Sequence, residues 1–177
     1  RRILWGPKAS LGDLGILAGP IEFNIEPEVH EVKDDRTGDE PLALILKSSK
    51  VKIKATFSEI DKTFYKTLLD GFGLKAITPT GEGATEVIAS GTGQNGVNLS
   101  ANAKMLVLKP MGKTDADKSE DFAFFKAIPK LSGGMKFSGS EQHNVEVEFT
   151  IIPDETMKAD NNKFVFGDWS QVGLAEA

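Results

Sequence analysis

Three stretches of the chain alternate strictly between apolar and polar residues, and that period of two limits the fold more than any other feature. Ile21, Phe23 and Ile25 alternate with Glu22, Asn24 and Glu26; Val51, Ile53, Ala55 and Phe57 alternate with Lys52, Lys54 and Thr56. Near the other end, Val145, Val147, Phe149 and Ile151 alternate with Glu146, Glu148 and Thr150. Successive side chains of a strand point to opposite faces, so each stretch reads as a half-buried strand with one wet face. Shorter candidates fill the gaps at Thr85 to Ala89, Ala103 to Leu108, Phe122 to Ala127 and Met135 to Phe137. The run Leu42 to Leu46 (LALIL) is continuously apolar and is expected to be a strand buried on both faces. Between Ile25 and Val51, Pro27 is expected to interrupt the first strand, with Val29 and Val32 resuming a short extended piece.

One helix stands out. Asp61 is a suitable N-cap, Ile60 before it a staple, and Phe64 with Leu68 and Tyr65 with Leu69 fall at i, i+4. Gly71 suits the position just past the C-terminus, so the helix is expected at about residues 61 to 70. The fold class expected is mainly β: a β-sandwich or partly closed barrel of about seven to nine strands with one packed helix. Residues 21–153 form its single domain, flanked by an N-terminal arm (1–20) and a C-terminal tail (154–177). The N-terminal stretch is broken by Gly6, Gly12, Gly15 and Gly19 yet carries Leu4, Trp5, Leu11 and Leu14. Side chains that apolar must pack, either on the chain's own core or on a neighbour.

Composition narrows the function. The 177 residues include no cysteine and two histidines, which removes disulfides, thiolate metal sites and cysteine nucleophiles. The net charge is −5, from 21 basic and 26 acidic residues, and arginine is confined to Arg1, Arg2 and Arg36. That balance disfavours a protein that grips nucleic acid by its phosphates. No apolar run approaches the ~18 residues of a membrane-spanning helix, so a soluble, intracellular chain with no membrane association is expected. Gly91 to Gly96 (GTGQNG) satisfies G-x-G-x-x-G, but the following Val97 to Asn102 does not open a helix, so a hairpin loop is preferred to a dinucleotide site. Asp115, Asp117, Ser119 and Asp121 alternate like a calcium loop, yet Glu120 stands where the glycine belongs and Lys126 where the closing glutamate belongs. A solvated acidic loop is the reading. His30 and His143 have no catalytic partners by spacing. No catalytic, metal or cofactor site is expected, and an enzyme is disfavoured.

The order of features resembles a known family. An alternating strand ends in Ile25-Glu-Pro-Glu28, a charged loop spans Asp35 to Glu40, and a lysine-alternating strand ends in Phe57-Ser-Glu-Ile60 before the helix. Later, Phe122-Ala-Phe-Phe-Lys-Ala-Ile-Pro129 precedes Val145-Glu-Val-Glu-Phe-Thr-Ile-Ile-Pro-Asp154. Over about residues 11 to 70 and 121 to 155 this is similar to the tail tube (major tail) proteins of long-tailed bacteriophages. The resemblance implies a virion structural protein whose rings, hexameric in the family, stack into a hollow tube that conducts DNA from capsid to host. Its partners would be itself, the tape measure, terminator and baseplate proteins, and DNA that passes without specific binding. It would be found in the virion tail, and in host cytoplasm during assembly. Long loops and terminal arms would bridge subunits, making Leu4, Trp5, Leu11, Leu14, Asp35, Arg36, Leu44 and Trp169 candidate contacts. The wet faces holding Glu22 and Asn24, or Glu146 and Glu148, would face the lumen, where an acidic wall lets DNA slide. Lys52 and Lys54 oppose that if they share the luminal face. A β-sandwich binding module for carbohydrate or a small ligand, or another tail ring subunit, is the alternative.

Overall fold

Antiparallel pairing organises the chain. The computed structural model describes residues 1–33, 40–58, 62–72, 76–77, 87–88, 96–132, 144–158 and 162–172. In chain order the strands are β1 (Arg2–Gly6), β2 (Gly12–Asp13), β3 (Glu22–Val32), β4 (Ala43–Phe57), β5 (Ala76–Ile77), β6 (Val87–Ile88), β7 (Lys104–Lys109), β8 (Phe122–Leu131), β9 (Val145–Ile152) and β10 (Phe164–Phe166). One helix, α1 (Lys62–Gly71), follows β4 among the described residues. Eight strands form one sheet in the order β2-β1-β7-β8-β9-β4-β3, with β10 continuing the line of β9 along the start of β8. The strands β5 and β6 pair separately. The protein is therefore mainly β with one helix, and its large sheet is not a closed barrel.

The alternating stretches behave as their period demands. Val51, Ile53, Ala55 and Phe57 of β4 are buried and register against Ile151, Phe149, Val147 and Val145 of β9. Across-strand pairs of this kind are the unit of sheet stability. They form one core with Ile3, Trp5, Leu106, Leu108 and Phe124, closed by Phe64 and Leu68 of α1. The Phe57 and Phe64 rings lie 5.0 Å apart between centroids. Twist curls the sheet around this core. Phe23 of β3 reaches Phe124 of β8 at 5.6 Å although β4 and β9 lie between those strands in the sheet.

The other sheet face is divided. Over β1, β7 and the start of β8 it carries a second core: Leu4, Met105, Val107, Ala123 and Phe125, covered by Met157 and Trp169. A bulge in β8 makes the border, because β8 takes three steps from Phe124 to Ala127 while β7 takes two from Leu106 to Lys104. The extra residue puts both Phe125 and Lys126 on this face and bends the strand. Beyond the bulge the face is wet.

Several expectations change here. The N-terminal arm is no arm: β1 lies between β2 and β7, and Ile3, Leu4 and Trp5 are buried. Residues 12–18 then strap the curled sheet together, pairing with β1 at Leu4 and Trp5 and reaching β4 through Ala18 N–H to the Thr56 carbonyl and the Leu17–Phe57 bridge. Pro27 does not interrupt β3, because β3 is an edge strand and can spare an N–H. Gly71 is the last helical residue rather than the first beyond it. A Cβ there would collide with the Trp5 indole and lie 2.7 Å from Pro129 Cγ, so the helix needs a glycine to approach the sheet. Asp61 and Ile60, the glycine motif up to Asn95, the strand expected at Met135 to Phe137, and most of that at Thr85 to Ala89 lie outside the described residues.

Candidate assembly surfaces

The longest described element, β4, is supported on both sides only from Val51 onward, by β9 on one side and on the other by β3 as far as Lys54 and by residues 17–18 at Thr56 and Phe57. Its first eight residues, Ala43 to Lys50, pair with β3 alone, so a two-stranded ribbon extends about 26 Å past the sheet at 3.3 Å per residue. The run Leu42 to Leu46, expected to be buried on both faces, is exposed on both. Leu42 is 62% exposed, Leu44 65%, Ile45 53% and Leu46 63%. The reason is topological: among the described residues no second layer covers the ribbon. Register puts Leu44, Leu46 and Val29 on one face and Ile45 with His30 on the other. Continuous hydrophobicity gave the strand but not its burial: the ribbon is apolar on both faces and none of the described residues covers it. Leu44 is therefore placed where a neighbour can reach it; Asp35 and Arg36 lie outside the described residues.

The remaining contact candidates are corrected by burial. Leu4, Trp5, Leu14 and Trp169 are all buried in the chain's own cores, and Leu11 is half-buried against the second one. Lys104 Nζ sits 4.7 Å above the Trp5 ring, and Trp5 Nε1 donates to the Ala127 carbonyl at 3.5 Å. These side chains belong to the packing of the chain itself.

The four lumen candidates share one surface. Glu22, Lys54, Glu148 and Lys130 form a row across β3, β4, β9 and β8, and Asn24, Lys52 and Thr150 form the next. Glu146 stands opposite Thr56 on the same side, where Ser132 Oγ donates to its carboxylate at 2.9 Å. Lys52 and Lys54 are thus on the candidate face. Glu22, Glu26, Glu28, Glu146 and Glu148, with Asp154 beside Lys126, are matched by Lys50, Lys52, Lys54, Lys126 and Lys130, six acids against five lysines and so within one charge of balance. Alternating signs are the favourable cross-strand arrangement. The face is balanced, and an acidic wall is not what it supplies.

The acidic loop before β8 is internally neutralised. Asp117 receives Lys113 Nζ at 2.8 Å together with the Ser119 hydroxyl and N–H, and these hold its carboxyl well below the usual range. Asp115 takes Arg2 at 2.7 Å. Asp121 is fully buried beside equally buried Lys109, whose ammonium donates to both carboxylate oxygens at 3.0 and 3.1 Å and to the Asp117 carbonyl at 2.6 Å. Trp169 Nε1 donates to the same carboxylate at 3.2 Å, and Lys118 lies 4.2 Å over the indole. Burying a charge pair is tolerable only when its hydrogen bonds are satisfied, as here. The network latches the C-terminal segment onto the sheet. The solvated acidic loop expected from the sequence is solvated at Asp115 but not at Asp121, whose buried pairing with Lys109 the spacing could not show. Among the described residues no cluster of metal-ligating side chains occurs. No helix of the described residues is long and apolar enough to cross a membrane.

What the fold and surfaces define is a mainly β protein whose distinctive surface is an apolar arm and a charge-balanced sheet face. No family model matches the sequence, and no curated protein matches it.

Proposed function

We propose that this chain is a structural subunit that polymerises with itself, in the manner of a phage tail tube protein, as stacked rings around a passage for DNA. The observation that carries this reading is the β3–β4 arm, whose tip offers Leu42, Leu44, Ile45, Leu46 and Val29 to solvent. Fully burying five such side chains is worth about 7–15 kcal/mol gross. Association costs about 4–15 kcal/mol in lost freedom. One arm seated on one neighbour therefore binds weakly, whereas a ring, in which each copy donates and receives an arm, multiplies the contact. The edge strand β3 adds a row of backbone groups that another copy's strand can pair. In such a tube the virion tail is the destination, and tape measure, terminator and baseplate proteins are the expected neighbours.

The test is electron microscopy and sedimentation of concentrated protein beside a Leu42→Ser, Leu44→Ser, Leu46→Ser variant. Rings or tubes from the parent and folded monomers from the variant support the proposal. Two equally monomeric proteins would sink it. A binding module would instead stay monomeric and gain thermal stability from a sugar or other small ligand; both tryptophans being buried leaves it no tryptophan platform for stacking a sugar.

A further inference from the structure

We propose that Lys163 is a clamp that sets the direction in which the β3–β4 arm leaves the sheet. A two-stranded ribbon without lateral support is marginal and twists freely. Support for β4 from β9 ends at the Val51–Ile151 pair. Two residues outward stands Ser49, opposite Pro27, which has no N–H to give. One pair further the register slips: Glu28 pairs with Ser48 but Val29 pairs with Leu46, leaving Lys47 as an extra residue. A bulge of this kind bends a ribbon and increases its twist. The arm thus carries a built-in joint just where the sheet stops holding it.

Lys163 acts at that joint. Its ammonium donates to the Ser49 carbonyl at 2.6 Å and to the Ser49 hydroxyl at 3.0 Å, in a half-buried position. A charged donor makes these among the stronger hydrogen bonds available. The clamp is mounted on the body of the protein. The Lys163 carbonyl accepts from Phe125 N–H of β8 at 3.2 Å, and the Asn162 carbonyl accepts from Asp154 N–H at 2.7 Å. The next residue, Phe164, begins β10 and pairs with Phe124. Other polar contacts nearby serve a different purpose: Ser48 Oγ to Glu28 at 3.0 Å and Lys52 to Glu26 at 3.7 Å join the arm's two strands to each other. Lys163 joins the arm's base to a segment 114 residues away, beyond the end of the β9 ladder. Lys163 is a positioning residue, since it touches neither the tip nor anything the tip would contact. The inference concerns the isolated subunit and stands whether or not the arm docks on another copy.

A dilute monomer tests it without reference to assembly. The chain has no cysteine, so Glu31→Cys at the arm and Glu155→Cys on the body accept a pair of nitroxide labels cleanly. Pulsed electron resonance should give a narrow distance distribution in the parent and a clearly broader one in Lys163→Met, which keeps the stem and loses the donor. Lys163→Arg should restore most of the narrowness. Hydrogen exchange gives the second readout: the Met variant should exchange about tenfold faster at residues 47–50, with residues 145–151 unchanged. Unchanged width and unchanged exchange in a folded Met variant would overturn the clamp. Should Lys163→Met fail to fold, Ser49→Ala removes one of the two bonds and must broaden the distribution by a smaller amount; no broadening there also overturns it.

Discussion

Gly71 and Asp121 show how single residues set the limits of this fold. At Gly71 there is no room for a methyl group between α1, the Trp5 indole and Pro129. Gly71→Ala should therefore cost about 1–3 kcal/mol through overpacking, read as a lower midpoint in urea unfolding, although alanine is the better helix former. Asp121→Asn leaves the Lys109 ammonium buried without its counter-charge and should cost about 3–5 kcal/mol by the same measurement. The Asp154 turn gives a pH dependence. Burial opposes ionisation of Asp154, but the Thr156 hydroxyl and N–H, with Lys126 at 3.2 Å, outweigh it and lower its pKa. A lowered carboxylate stabilises the folded state above its unfolded pKa of about 3.9 and loses that contribution as pH falls through the lower folded value. Amide protection at residues 154–158, corrected for the intrinsic pH dependence of exchange, should accordingly be flat from neutral pH down to about 4 and fall below it. None of these environments is legible in sequence. A glycine at a helix end looks like a stop signal, and alternating aspartates look like a solvated loop, until partners brought in by the fold, such as Trp5 at Gly71 and Lys109 at Asp121, are known.

At the scale of elements, β4 separates what local pattern reveals from what it cannot. From Val51 to Phe57 alternation specified the strand, its buried face and its wet face, and β9 did the same for its own length. From Leu42 to Leu46 hydrophobicity again specified a strand, but whether a partner layer exists is a property of topology. The same limit applies to β1. Glycine punctuation hid a strand that gives Ile3 and Trp5 to one core and Leu4 to the other. The wet face was legible residue by residue, whereas its charge balance required the register that sets Lys54 between Glu22 and Glu148. If the arm serves assembly and not folding, replacing Val29 to Lys47 by Asn-Gly, a two-residue hairpin turn between Glu28 and Ser48, should leave the thermal midpoint unchanged while abolishing self-association. A lowered midpoint would instead make the arm part of the subunit's own stability.

For the whole molecule, the surfaces proposed for assembly are separate from the cores that fold the chain, and two perturbations should test that separation. Removing residues 1–17 takes out β1, β2 and most of the strap, so the truncated chain should lose cooperative unfolding altogether rather than remain a folded subunit that cannot stack. The charged face carries the second test, which asks whether it meets DNA. With six acids and five lysines it offers phosphates no net attraction, so assembled protein should show little affinity for duplex DNA. Glu22→Lys with Glu148→Lys leaves four acids against seven lysines on that face without touching either core. If the face lines the passage, assemblies of this variant should retain DNA, and the logarithm of their affinity should fall steeply with the logarithm of salt concentration, as counterion release requires. Gel retardation and filter binding at several salt concentrations measure both. Because DNA would have to be held inside, DNA bound by the variant should also resist nuclease. Retention with full nuclease sensitivity would put the charged face on the outside of the assembly, and no retention at all would remove it from any surface that DNA meets.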